Sequence, residues 1–205
     1  MLRSSLALVS LVLLVVAAPV LAAPEPDPVP TRWEFEFEAD PLRIAIVDLP
    51  EVGPTPYFYL TYRVTNFWGG DLLFAPDAKL KTDEGELLVA GRNVPAAAVA
   101  NVMARLNNPL LRDQFEIVGV VPEGPENARD GVAIWPATDL DVDEIRVFIA
   151  GLSGESRAYV VDRDGIDPQR FTLRKTRMLR FETPGIIGYR DNQRLEPAEA
   201  RWIMR

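Results

Sequence analysis

The clearest pattern in the chain is a period of two in its hydrophobic and polar residues. Residues 33–38 alternate aromatic and acidic side chains, which is typical of a strand with one face in water. Residues 57–66 are aromatic and β-branched almost throughout and give the strongest strand signal. Residues 50–56 predict a loop, and further short strands are predicted at residues 42–47, 72–74, 79–81, 87–89, 116–121, 132–135, 144–151, 157–161, 170–183 and around 202–203. Many short strands separated by turns predict a mainly β fold, an antiparallel β-sandwich.

One short helix interrupts the strands. Apolar residues recur there at positions i, i+3, i+4 and i+7: Val99, Val102, Met103 and Leu106. Pro95 suits the start of a helix, and the Asn-Asn-Pro run at 107–109 ends it. The pattern therefore predicts one helix over about residues 95–106, inserted in the sandwich.

Residues 1–22 have the features of a secretory signal peptide. Arg3 precedes an apolar run broken only by Ser10, and residues 20–22 offer a cleavage site of small residues. The alternative is an uncleaved anchor, because the apolar stretch is almost long enough to span a bilayer. We expect residues 23–31 to form a Pro-rich flexible spacer and residues 32–205 a single β-sandwich domain. The sequence thus predicts a soluble exported protein, periplasmic or extracellular, with no stable membrane span after cleavage.

The chain contains neither cysteine nor histidine. Disulfides and cysteine-linked lipid anchors are therefore excluded. The usual general base near neutral pH is absent, as is the ligand used by most zinc, copper and haem sites. These absences predict a protein without a cofactor and without catalytic residues, although paired carboxylates alone can hydrolyse glycosides.

The formal net charge of −8 is unevenly distributed. Residues 170–205 hold 9 basic and 4 acidic residues, a local +5, which leaves a local −14 on residues 23–169. The basic segment could bind an anionic partner, or it could lie against the acidic part of the same fold. We expect the second, with no nucleic acid as partner, because the basic residues alternate with apolar ones. Specifically, we expect a stripe of Glu34, Glu36 and Glu38 to face Arg170, Thr172, Arg174, Thr176 and Arg180 in one sheet.

Four segments carry a resemblance to a known group of proteins. They are Y-L-T-Y-R-V-T-N at 59–66, the D-x-G turn at 83–85, G-V-A-I-W-P at 131–136 and R-V-F-I-A-G-L at 146–152. Their order, from Tyr57 to Leu152, resembles the exported bacterial immunoglobulin-like sandwich domains of unknown function. The resemblance implies an immunoglobulin-like topology and, by analogy, a binding or structural role. It implies no catalytic residues.

Asp139, Asp141 and Asp143 have the first three spacings of a calcium loop of the EF-hand type. Glu144 stands where that loop needs glycine, and Ala150 where it needs a bidentate glutamate. A looser calcium site between strands is one interpretation, since carboxylate oxygens suffice as ligands. The other, which we favour, is a solvated acidic turn that leads into a strand.

Phe67 and Trp68 lie in a predicted loop and are followed by two glycines. An exposed aromatic pair there would be a contact point for a protein pocket or a sugar ring. The other interpretation, which we favour, is that Trp68 packs back onto the end of the sandwich. The remaining tryptophans lie within strand patterns and are expected in the core: Trp33, Trp135 and Trp202.

Together these features predict an exported, non-enzymatic binding or structural module whose partner is a protein or a glycan at the cell exterior. One alternative is a carbohydrate-binding module or a histidine-free glycosidase. Another is a calcium-stabilised adhesion domain. An aromatic platform at the surface would favour the first alternative, and converging carboxylates between adjacent loops would favour the second.

Overall fold

The computed structural model describes residues 24–163, 166–183 and 191–205, so the predicted signal peptide, residues 1–22, lies outside the described residues. The strands in chain order are β1 (Phe35–Ala39), β2 (Leu42–Leu49), β3 (Gly53–Asn66), β4 (Leu72–Phe74), β5 (Asp77–Thr82), β6 (Leu87–Val89), β7 (Leu111–Arg112), β8 (Gly119–Val121), β9 (Arg129–Pro136), β10 (Glu144–Ala150), β11 (Ser156–Arg163), β12 (Ile166–Glu182), β13 (Arg194–Leu195) and β14 (Glu199–Met204). The helix α1 spans Ala96–Leu106, and a short 3-10 helix spans Pro125–Asn127. The predicted mainly β fold with one α-helix is confirmed.

The strands form two six-stranded sheets and one small sheet. The first sheet has the order β13-β2-β3-β9-β7, and β1 also pairs with β3. The second has the order β11-β12-β10-β5-β6, and β14 also pairs with β12. The small sheet contains β4 and β8. The strand pairs are antiparallel apart from β7 with β9, an arrangement consistent with a β-sandwich.

The main hydrophobic core lies between the two large sheets. Buried side chains meet there from both sides: Ile44, Phe58, Leu60 and Trp135 from the first sheet, and Leu80, Val147, Leu179 and Phe181 from the second. Burying each such side chain contributes about 1.5–3 kcal/mol. The indole of Trp135 is fully buried, and its Nε1 lies 3.4 Å from the carbonyl oxygen of Ala78 on the facing sheet.

Helix α1 covers the outer face of the first sheet and creates a second core. Ala98 and Val102 are buried there against Ala45, Val47 and other residues of β2, β3 and β9. The part of this sheet beneath α1 is therefore buried on both faces. That explains why β2 and β3 are apolar at consecutive positions and do not alternate.

Strand β3 begins at Gly53, so the prediction of a loop over residues 50–56 is wrong for its second half. Pro54 and Pro56 lie within this strand, where β3 pairs with β2 alone, because pairing with β9 begins at Tyr57. A proline lacks the N–H that a second neighbour would need, and here one side of the strand has no such neighbour.

The strand predicted over residues 116–121 is shorter than expected and begins at Gly119. Asp113 explains the difference, because its Oδ1 accepts hydrogen bonds from the N–H groups of Phe115 and Glu116, at 2.8 and 2.9 Å. Such local side-chain bonds favour a turn over an extended backbone.

The expected pairing of a glutamate stripe with an arginine stripe in one sheet is wrong. Strand β1, which bears Glu36 and Glu38, pairs with β3, whereas the arginines lie on β12 in the other sheet. Arg180 instead pairs with Glu182 and Glu199, at 2.6 and 3.2 Å. The charge of Arg180 is thus neutralised by acidic residues close in sequence and on the adjacent strand. The strands pair in a different order from the one that the expectation assumed.

Lys175 of β12 is buried, with 2% of its surface exposed. Its Nζ lies 2.8 Å from a carboxylate oxygen of Glu34 and 3.3 Å from one of Glu155. The ammonium also lies 3.3 Å from the carbonyl oxygen of Asp27 and 5.3 Å from the ring centre of Trp202. We call these five residues the lysine cluster. It joins the segment before β1 to strands β12 and β14.

Asp27 belongs to the segment that the sequence predicts as a flexible spacer. Its N–H donates to Glu155, at 2.9 Å, and its carboxylate pairs with Arg157. The flexibility of residues 23–31 stays a prediction, and these contacts show where the segment touches the sandwich.

No helix within residues 24–163, 166–183 and 191–205 has the length and apolar character needed to cross a bilayer.

Replacing Lys175 by alanine should destabilise the protein strongly. The substitution removes the cation of the partly buried Glu34 and leaves the buried Glu155 with Arg157 alone, at 3.4 Å, and breaking a buried pair typically costs about 3–5 kcal/mol. Urea denaturation followed by fluorescence measures the loss. The matched control is Lys79→Ala, because Lys79 pairs with Asp77 at the surface and such pairs contribute about 0–1 kcal/mol. Equal stabilities of the two variants would contradict the assigned role of the lysine cluster.

Candidate functional site

The two short strands β4 and β8 expose apolar side chains on their outer face. Leu73 lies directly opposite Val120, and the two are 62% and 52% exposed. Their neighbours Phe74 and Val121 point the other way and are fully buried in the main core. Alternation along a strand produces this arrangement, since successive side chains point to opposite faces and no described part of the chain covers the outer one.

The loop before β4 is held by the buried side chain of Asn66. Its Nδ2 donates to the carbonyl oxygens of Gly70 and Val121, at 2.7 and 2.9 Å, and its Oδ1 accepts from the N–H of Trp68 at 3.0 Å. One amide thus closes the loop on itself and attaches it to the end of β8. The loop residues Phe67 and Trp68 are 56% and 46% exposed.

The guanidinium group of Arg129 also holds β8 in place. Arg129 donates from Nη1 to the carbonyl oxygen of Ile117, at 3.0 Å, and from Nη2 to that of Val120. Burial lowers the pKa of Arg129, and the nearby charge of Arg112 lowers it further. These bonds fix the backbone that displays Val120.

We call Phe67, Trp68, Leu73, Val118 and Val120 the apolar end of the molecule. Each is close to half exposed or more, and they come from one loop and the two short strands that this loop adjoins. Of the two interpretations of Trp68, the structure shows the exposed one. Exposed apolar groups gathered at one place, on a backbone fixed by hydrogen bonds, are typical of interaction surfaces.

The segments that build the apolar end are acidic. Residues 66–74 and 113–126 contain no lysine or arginine. Their acidic residues are Asp71, Asp113, Glu116, Glu123 and Glu126. All but Asp113 are exposed. These carboxylates outnumber the guanidinium of Arg129 beside β8, so a partner of the apolar end has a net negative charge to complement.

The acidic run at 139–143 has a simple structural explanation. Leu140 and Val142 are buried in the main core, so the aspartates between them point to solvent. The carboxylate of Asp139 accepts a hydrogen bond from the N–H of Asp141 at 2.8 Å, and the N–H of Asp143 donates to Asp83. Within the described ranges no group of three or more acidic residues is placed to hold a metal ion.

Sequence reasoning did not single out Leu73, Val118 or Val120 as surface residues. Their segments, LLF and VGVV, look like ordinary core strands. About half of the side chains in these two segments face water because no described part of the chain packs over the small sheet, and the sequence does not record this. The two adjacent glycines at 69 and 70 were the available signal, since they mark the turn beside which the apolar end forms.

Comparison with known proteins gives no further guide to this site. No protein family model, no curated protein sequence and no solved structure matches the chain. The function has to be argued from the residues themselves.

Asn66→Ala should destabilise the protein by about 1–3 kcal/mol, because the buried carbonyl of Val121 loses its donor. Asn66→Asp should be worse at neutral pH, since it aims a carboxylate at two carbonyl oxygens. Burial disfavours that charge, so part of the stability should return as the pH falls and the carboxylate takes up a proton. Denaturation at pH 7 and pH 5 measures both effects. Gln169→Ala, at an exposed position of β12, is the control and should cost well under about 1 kcal/mol. A mild effect of both changes at Asn66 would mean that the loop is held by other contacts.

Calcium should leave stability unchanged. The aspartates at 139, 141 and 143 are separated by buried side chains and do not converge. A real site would raise stability by about 2.7 kcal/mol at a hundred-fold excess of calcium over its dissociation constant. Thermal unfolding with millimolar calcium and with chelator tests this. A rise of several degrees with calcium would overturn the interpretation of a solvated turn.

Proposed function

We propose that the protein is an exported, non-enzymatic binding module that holds a protein partner through its apolar end. The observation that supports this proposal is a group of exposed apolar side chains, Phe67, Trp68, Leu73 and Val120. They lie on a loop and strands that Asn66 and Arg129 hold in place. Its other parts are proposals from the sequence: export by the segment at 1–22, the absence of catalytic chemistry and an immunoglobulin-like topology.

The chemistry of the surface favours a protein over a glycan. A sugar ring stacks on an aromatic face and forms hydrogen bonds with polar side chains, and exposed aliphatic side chains supply neither contact. Next to Trp68, the small sheet offers the aliphatic side chains of Leu73 and Val120. A partner with exposed apolar side chains satisfies this surface without unpaired polar groups.

The acidic residues around the apolar end define the rest of the partner. Lysine or arginine around an apolar centre would complement Asp71, Glu116 and Glu123. Such charges contribute more to the rate of association and to specificity than to affinity, and salt screens them. The expected partner is therefore a protein with an apolar patch inside a basic rim.

Site-specific crosslinking in the cells that produce the protein tests this function. A photoreactive benzophenone side chain at position 73 should yield a discrete adduct that protease removes. The same group at position 160, where Val160 is exposed on β11, should not yield that adduct.

Truncation of the aromatic pair should abolish the adduct. Phe67→Ala and Trp68→Ala should each weaken binding by about 30-fold or more, the usual effect of removing an anchoring aromatic. Phe171→Ala is the matched control, because Phe171 is as exposed as Trp68 but lies on β12. No adduct at 73, or one unaffected by either truncation, would contradict the proposal. A protease-resistant glycan adduct would support the sugar-binding alternative.

A further inference from the structure

Two arginines lie directly opposite each other at the edge of the first sheet. Arg194 of β13 is the cross-strand partner of Arg43 of β2, and Tyr59 of β3 is the next residue in the same row. Like charges in directly opposed positions destabilise a strand pair unless something compensates them. The group that neutralises Arg43 and Arg194 therefore indicates the role of this surface.

A second opposed pair, Arg146 with Arg180 in the other sheet, shows how this chain compensates such charges internally. Glu144 lies 2.6 Å from Arg146 and 3.5 Å from Arg180. Glu182 and Glu199 complete the set around Arg180. That pair is neutralised by three carboxylates of its own sheet.

The pair of Arg43 and Arg194 has no such neutralisation. Within the described ranges, no carboxylate lies within ion-pair distance of Arg43, whose Nη1 donates to Oδ1 of Asn192 at 2.8 Å. Among the described residues Arg194 pairs with Glu196 alone, at 3.0 Å, and both side chains are more than half exposed, so this pair is weak.

Two carboxylates, Asp40 and Asp191, line the same surface, and Asp191 is already bound to another cation. Oδ1 of Asp191 accepts from Arg105 at 2.5 Å and from the N–H of Ile46 at 2.9 Å. The hydrogen bond from Ile46, together with Arg105, lowers the pKa of Asp191, so this group is a fixed anion bound to another cation. It therefore supports the groove wall and leaves Arg43 uncompensated.

These residues line a groove of about 610 Å³ at the carboxyl end of α1. Its wall includes Arg43, Tyr59, Thr61, Arg105, Asn192 and Arg194. Burial raises the pKa of Tyr59, whose hydroxyl stays protonated and donates to Asn192 at 3.2 Å. On the opposite side, the hydroxyl of Thr61 donates to Asp40 at 2.6 Å, which leaves acceptor oxygens for a ligand hydroxyl.

We propose that this groove binds a small oxyanion, a carboxylate or phosphate group, between the guanidinium groups of Arg43 and Arg194. Planar guanidinium groups pair with such anions through two parallel hydrogen bonds. The bound oxyanion supplies the negative charge that Glu144, Glu182 and Glu199 supply to the other pair. The groove shares no residue with the apolar end, so this site and the proposed function stand or fall separately.

Nuclear magnetic resonance titration of the full chain tests the site directly. The probes are sodium phosphate, sodium acetate and sodium glucuronate, with sodium chloride holding ionic strength constant and glucose as the uncharged comparison. The Nε–H signal of Arg43 and the side-chain amide of Asn192 should shift and saturate at millimolar probe. Saturation by phosphate alone identifies a free oxyanion, and tighter binding of glucuronate than of acetate identifies an oxyanion borne by a hydroxylated molecule.

Variants separate this site from general attraction to positive charge. Arg43→Gln and Arg194→Gln should each weaken the probe about tenfold or more, the usual effect of losing a charge-assisted pair. Arg170→Gln, at an exposed position of β12, should change the dissociation constant less than twofold. Arg194 is exposed, so its variant should fold even if Arg43→Gln does not. No saturable shift with any anion at 50 mM, or unchanged affinity in Arg194→Gln, would overturn the proposal.

Discussion

Burial of both faces of β3 is the constraint on which the rest of the structure depends. Phe58 and Leu60 fill the core between the sheets, while Tyr57 and Tyr59 lie in the second core beneath α1. Strands β1, β2 and β9 all pair with β3, so it positions most of the first sheet. The helix ends at Leu106 and leaves the last part of that face uncovered. The groove of Arg43 and Arg194 forms beyond this point, where polar residues of β2 and β3 replace apolar ones.

The charged side chains have different kinds of partner in different parts of the structure. Lys175 is held inside by two carboxylates, and Arg180 is compensated at the surface of its own sheet. Arg129 binds carbonyl oxygens beneath the small sheet and fixes its backbone. The negative net charge therefore coexists with an opposed arginine pair, Arg43 and Arg194, that lacks the three carboxylates found around Arg146 and Arg180.

Period two in the sequence was sufficient to predict the mainly β fold, and period 3.6 was sufficient to predict α1 within one residue of its start. The start of β3 could not be predicted, because prolines usually exclude a strand and the free side of β3 at Pro54 and Pro56 is a property of the assembled sheet. The order of the strands could not be predicted from the sequence either, and neither could the ion-pair partners of Glu34 and Arg180. Leu73 and Val120 are exposed because no described part of the chain packs over the small sheet, and a local sequence pattern cannot predict this.

The contacts that complete this molecule join residues far apart in the chain. Arg43 and Asn192 are separated by 149 positions, and Asp27 and Lys175 by 148. Closing such long loops costs chain entropy before any contact is gained, so folding dominated by them is slow. Until β12 and β13 are in place, one edge of β2 lacks its neighbour, and Glu34 and Glu155 lack their cation. Residues 166–183 and 191–205 therefore supply the strands that complete both large sheets.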